Sequence, residues 1–324
     1  MVAISELYLG DTDRQGTPSA SAWKQIGFNL DGLISTENGT NHCKLADEAN
    51  TAAKLDGDGG IDNAFGMQLV PLIDTVAGGA GPAINDSINR GDFTIMIRLQ
   101  NLADPATTPT QTGVKAAVVG GGLFSALVAC GGDGGADSGA PGDGGPLPVN
   151  CSPPKFDGTD TWPLARDTLI GANAATPKVT FANSFVSGGT WVSGRGAELD
   201  LVISISGITL TLHVISAFIA LDITGIQASA KGTKGTIAGV VNTENLIAEI
   251  RRVAGNALPS LCAGSTFDAV AQQIRQMSDI MSDGTNGDPA KACDAISIGL
   301  GFDASAVLEG LVAPPVPPPP DPCA

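Results

Sequence analysis

Aromatic side chains are scarce in this 324-residue chain: Phe, Trp and Tyr together make up 4 %, with a single Tyr. Histidine is scarcer, with only His42 and His213. Two histidines so far apart cannot supply the H-E-x-x-H pattern of a zinc hydrolase. Positive charge is short as well: 17 Lys and Arg stand against 33 acidic residues, a net charge of −16. Such a surface argues against nucleic acid and against anionic membranes, whose phosphates repel it. Glutamate is nearly missing, since 26 of the acidic residues are Asp and 7 are Glu. Glu favours helices, whereas Asp favours caps and turns, so this acidity belongs to loops between strands. No apolar run reaches the ~18 residues of a membrane span. The nearest, 203–223, is broken by Gly207, Thr209, Thr211, His213, Ser216 and Asp222. No two cysteines stand at C-x-x-C spacing, which speaks against zinc. The G-x-S-x-G elbow, the P-loop and a G-x-G-x-x-G between strand and helix are absent. Met1 is followed by VAISELYLG, a strand-like start rather than a leader.

Apolar residues make up 43 % of the chain, ample for a core, and there are 43 Gly and 21 Pro. The six cysteines are Cys43, Cys130, Cys151, Cys262, Cys293 and Cys323. An even number, widely spaced in an acidic chain, reads as disulfides in an oxidising compartment. Their connectivity is open from sequence alone. Short-range closure favours Cys130–Cys151 and Cys262–Cys293, which leaves Cys43 with Cys323. The expected location is therefore extracytoplasmic: secreted, periplasmic or on the outer surface.

Periodicity separates strands from helices along the chain. Ile4, Leu7 and Leu9 begin a strand, and the spacing of Trp23, Ile26, Phe28 and Leu30 predicts another. Phe65, Leu69, Ile73 and Val76 recur at helical spacing, and a second helix starts around Pro82 and stops at Gly91. Phe93, Ile95, Ile97 and Leu99 alternate as a strand. The apolar stretch 115–130, split at Gly120–Gly122, is expected to be a hairpin. Gly188-Gly189 makes a hairpin turn. Three alternating runs follow, around Leu199–Ile205, Ile208–Val214 and Ala217–Ile223, the pattern of an antiparallel meander. A helical segment is expected over 242–283, capped by Asn242 or Thr243 and, further on, by a capping box at Ser265 and Asp268. Ile296 to Phe302 return to strand. Residues 26–32 faintly echo 298–304, which suggests two neighbouring strands. The reading is an α+β protein: one antiparallel β-sandwich domain, jelly-roll or lectin-like, over 1–312, with helices at one side. Residues 131–150 are expected to form a mobile Gly/Asp/Pro loop, and 313–324 a Pro-rich tail.

Three Asp-rich loops are candidates for calcium, which takes several hard oxygens from a flexible loop. One carries Asp11 and Asp13, the second Asp56, Asp58 and Asp62, and the third Asp283 and Asp288. Each misses the full EF-hand pattern. Asp157 and Asp160 beside Trp162 could grip a sugar through hydroxyl hydrogen bonds and ring stacking. Trp23 and Trp191 are expected in the core, and His213 on the polar face of its strand. A non-enzymatic binding or structural module, calcium-stabilised, is the leading expectation, with a glycan or an envelope component as partner. A carbohydrate-active enzyme using Asp carboxylates is the alternative.

The stretches LYLGDTDRQG, AWKQIGFNLDG, GGIDNAFG, FTIMIRL, PKFDGTDTWPL, GTIAGVVNTENLIAEI, DIMSDGTN and CDAISIGLGFDA span most of the chain outside 100–150. In these the chain resembles exported proteins, lipoproteins among them, of myxobacteria and related Gram-negative bacteria. That group carries no assigned activity, so the resemblance implies export and bacterial origin only. No lipid-accepting Cys stands near the start, so anchoring is not implied.

Overall fold

The computed structural model describes residues 1–77, 79–126, 152–194, 196–205, 208–257, 262, 264–315 and 322–323. In chain order it has β1 (Val2–Tyr8), α1 (Val70–Ala77), α2 (Ala80–Arg90), β2 (Thr94–Gln100), β3 (Gln111–Gly121), β4 (Thr161–Leu164), β5 (Val179–Ser187) and β6 (Thr190–Val192). There follow β7 (Ala197–Ile205), β8 (Ile208–Thr224), β9 (Lys231–Asn242), α3 (Thr243–Ala257), α4 (Ser265–Arg275), β10 (Ala295–Ala306) and β11 (Leu308–Val312). Phe65–Leu69 forms a turn of π-helix that runs directly into α1.

The strands make one eleven-stranded sheet in the order β11-β4-β3-β2-β1-β10-β9-β8-β6-β5. β3 pairs with β5 as well, so the eight strands from β3 round to β5 form a closed circuit of antiparallel neighbours. β11 lies parallel to β4, which makes the sheet mixed. Among the described residues the protein is thus mostly β with four α-helices, as an α+β reading expects, but its hydrogen bonding draws one ring. The closure comes from β3. Its glycines do not turn a hairpin: the strand runs on through Gly120 and Gly121, with β2 along one edge and β5 and β4 along the other.

The meander is present as β7, β8 and β9. Two of its expected runs are one strand. β8 carries a bulge at Ser216, whose φ is 52°. One extra residue there shifts the alternation by one. Leu210, Leu212 and Val214 face the core before it, and Ala217, Ile219, Leu221 and Ile223 after it. Inside the ring these residues meet Ile296, Ile298, Leu300 and Phe302 of β10, Ile84 and Ile88 of α2, Leu246 of α3 and Ile274 of α4 in one cluster. Each such side chain contributes about 1.5–3 kcal/mol on burial. Asn242 caps α3, its Oδ1 accepting the amides of Glu244 and Asn245 at 3.1 Å. Ser265 makes no cap; Gly264 takes that position without a side-chain bond.

The outer face of β10 is buried too, and this placement builds the candidate site. The 22–30 segment is not a strand: Ala22–Gln25 is a 3₁₀ turn, and only Phe28 bridges Asp62. It lies flat over β10, so close that a Cβ on Gly299 would collide with the Ile26 carbonyl. Asn63, 1 % exposed, stitches the layers. Its Nδ2 donates to the carbonyls of Ile26 (2.7 Å) and Gly299 (3.2 Å), and its Oδ1 accepts the amides of Gly66 and Gly299. The echo between 26–32 and 298–304 is therefore a stacking of layers, not a strand pair. The chain ends meet through β1 and β10 instead.

Among the described residues two disulfides are present, Cys43–Cys293 and Cys262–Cys323. Both correct the pairing that short-range closure favours. Lys44 and Ala292 form a parallel bridge, in which the Lys44 amide donates to Lys291 O at 2.7 Å, and this lays Cys43 beside Cys293. Cys262 instead follows α3, where Arg251 donates to its carbonyl, and the chain's last residues return to it. Such crosslinks are typical of extracytoplasmic proteins. Cys130, Cys151 and the 131–150 loop lie outside the described residues, as does most of the Pro-rich tail. No helix among the described residues is long and apolar enough to cross a membrane.

Candidate functional site

The five expected calcium ligands do not converge on one point. Asp13 closes a local turn, its Oδ1 accepting the amides of Gln15 and Thr17 at 2.9 Å. Asp11 lies at the start of α2, where a Cβ on Gly81 would come within 2.7 Å of its Oδ2. Asp74 joins it there and accepts the Ala80 amide at 2.7 Å. Two carboxylates at a helix N-terminus suit the positive end of its dipole. Burial raises the Asp11 pKa, and the Asp74 charge adds to the rise.

Asp56 and Asp62 go elsewhere, to the layer over β10. Asp62 is 2 % exposed, and its Oδ2 accepts the Leu30 amide at 2.6 Å. Asp56 accepts the Ser35 amide. Asp31, from the loop between those two amides, and Asp279, which follows α4, complete a group of four carboxylates. Asp279 accepts the Ser297 amide at 2.8 Å and the Ser297 hydroxyl. Burial, then the charges of Asp31 and Asp279, push Asp62 up to about 8. Burial pushes Asp279 up to about 7 despite the Ser297 bonds, and Asp56 up to about 6, with Asp31 adding to it. The charges that raise these three most are those of other carboxylates. Asp31 Oδ2 and Ser35 Oγ are buried without a hydrogen-bond partner. Asp58 stays outside the group, exposed, with Gln25 Nε2 at 3.3 Å. Sequence reading missed Asp31 and Asp279, because neither belongs to the Asp56–Asp62 loop that they face.

The third loop is local: Asp283 holds the Thr285 amide and hydroxyl, and Asp288 the Ala290 amide. Asp157 likewise holds the amide and hydroxyl of Thr159, which lower its pKa. Asp160 is 6 % exposed, and its Oδ2 is taken by the amides of Lys155 and Phe156. Trp162 is 0 % exposed; its ring packs on Phe124 and Phe156, and its Nε1 donates to Gly122 O at 2.8 Å. A ring with no open face cannot stack on a sugar, so this trio is architecture and not a glycan site. Trp23 and Trp191 are core residues, as expected, at 5 % and 0 %.

A cleft of about 330 Å³ lies between β7 and the β2–β3 side of the ring. Val118, Val179 and Val202 give it apolar walls, and Asp167, Lys178 and Glu198 are among its charged groups. His213 stands opposite Asp200 across the β7–β8 pair, Nδ1 to Oδ1 at 2.7 Å. The polar-face placement of His213 was visible in the sequence; its Asp200 partner, thirteen residues earlier on the neighbouring strand, was not. No family model matches the chain, and no curated protein or solved structure does either.

Proposed function

We propose that the protein is a secreted or cell-surface, non-enzymatic binding module on a sandwich-like β scaffold, stabilised by calcium at Asp31, Asp56, Asp62 and Asp279. The observation that carries the cation is that the charges of Asp31, Asp279 and Asp56 all act on buried Asp62, beside buried oxygens of Asp31 and Ser35 that have no hydrogen-bond partner. Like charges in a buried place need protons or a cation. Calcium fits because every donor is a hard oxygen, and because Asp31 and Ser35 keep buried oxygens with nothing to bond. Among the described residues no three acidic, His or Cys groups already stand at ion-ligating distance. Disulfides and Asp-rich turns support the location outside the cytoplasm. The enzyme alternative gains no support, since Asp157, Asp160 and Trp162 are spent on turns and packing.

Thermal unfolding of chelator-stripped protein at pH 8, with and without millimolar calcium, tests the cation. A calcium-dependent rise of several degrees is expected. An unchanged midpoint removes calcium from the reading.

A further inference from the structure

We propose that the free edge of β7 is a docking site for an extended, Lys- or Arg-bearing segment of a partner protein, which adds to the sheet as a further strand. β7 is hydrogen-bonded to β8 along one edge, and among the described residues it pairs with no other strand. The 330 Å³ cleft follows that strand. It is lined by Leu199, which faces the core, and by Glu198, Asp200 and Val202, which alternate with it. Contributions from both faces of one strand place the space at its edge, and His213 of β8 shows that it reaches over the outward face of the β7–β8 pair as well. An edge of this kind offers a row of backbone N–H and C=O groups to an incoming strand. Main-chain bonds then supply affinity, and pockets for alternate side chains supply selectivity.

The lining selects the charge of the occupant. Leu199, Val118 and Val179, which belong to or pack on the core cluster, suit apolar side chains on one face of the added strand. On the other side stand Asp167, Glu198 and Asp200 against Lys178, while His213 is engaged with Asp200. Carboxylates outnumber the lysine, so basic side chains are favoured and acidic ones rejected. A second copy of this chain, at a net charge of −16, is the poorer match.

This deepens the binding role proposed above and is independent of the cation, since peptide binding and calcium-dependent melting are read separately. The test uses the full chain and fluorescent heptapeptides that alternate Val with Lys, a Val/Glu counterpart, and two Val/Lys versions N-methylated on alternate amides in opposite phase. Fluorescence anisotropy should show saturable binding of the Val/Lys peptide and none of the Val/Glu one. One methylation phase should weaken binding about ten-fold and the other little, because only one row of amides faces β7. The double substitution Asp167→Asn and Glu198→Gln, both at exposed positions, should weaken it about four-fold and flatten its salt dependence. Equal tolerance of both methylation phases, equal binding of the acidic peptide, or no saturable binding up to millimolar peptide overturns the proposal. So does concentration-dependent dimerisation that the peptide fails to displace.

Discussion

Replacing Asp62 by Asn removes a buried charge while keeping an oxygen for the Leu30 amide, and its effect on stability should change sign with calcium. Asp62 is 2 % exposed and its pKa stands near 8. An unfolded Asp titrates near ~3.9. The folded state therefore binds more protons between these values, so stability is greatest below the unfolded pKa and falls as pH rises towards the folded one. Each pKa unit is about 1.4 kcal/mol, which sets an upper bound of roughly 6 kcal/mol for the loss above pH 8. Proton sharing with Asp31, Asp56 and Asp279 lowers the real figure to about 2–4 kcal/mol. In chelator, Asp62→Asn should therefore stabilise the protein by that amount at pH 8.5 and change little at pH 4.5. In millimolar calcium at pH 8.5 the wild type gains stability and the variant does not. Urea unfolding at the two pH values, with chelator or calcium, reads all four cases. A variant that is destabilised equally at both pH values in chelator refutes the electrostatic argument.

Two further outcomes follow from the packing. Non-reducing peptide mapping should recover Cys43 with Cys293 and Cys262 with Cys323; replacing both Cys43 and Cys293 by Ala should cost about 4 kcal/mol, since that bridge closes a separation of 250 residues. Asn63→Ala should cost about 3 kcal/mol in chemical unfolding, because it strands buried amides and carbonyls of Gly66, Ile26 and Gly299 at once.

Local pattern made much of the strand content legible. The alternation in β2, β7 and β8, the Gly188-Gly189 turn and the Asn242 cap all follow from side-chain period and turn chemistry over a few residues. What escaped was long-range. Nothing in residues 111–118 says that β3 pairs there with β5 and closes a ring. Ser216 hides a bulge because both flanking runs alternate correctly by themselves. The Trp23–Leu30 stretch alternates as a strand would, yet it packs flat on β10, whose glycines leave room for it. Cysteine pairing followed the bridge between Lys44 and Ala292, which no spacing rule contains. The acidic site was half visible: Asp56 and Asp62 stood out in one loop. Asp31 and Asp279 join them only because the chain brings three distant segments onto one face of β10.

The most direct measurement is a calorimetric titration of calcium into metal-stripped protein at pH 7, repeated in buffers of different ionisation heat. Occupation of the four-carboxylate group predicts one ion per chain with protons released on binding, and both signals lost in Asp62→Asn. Heat that is absent, or that persists unchanged in the variant, contradicts it.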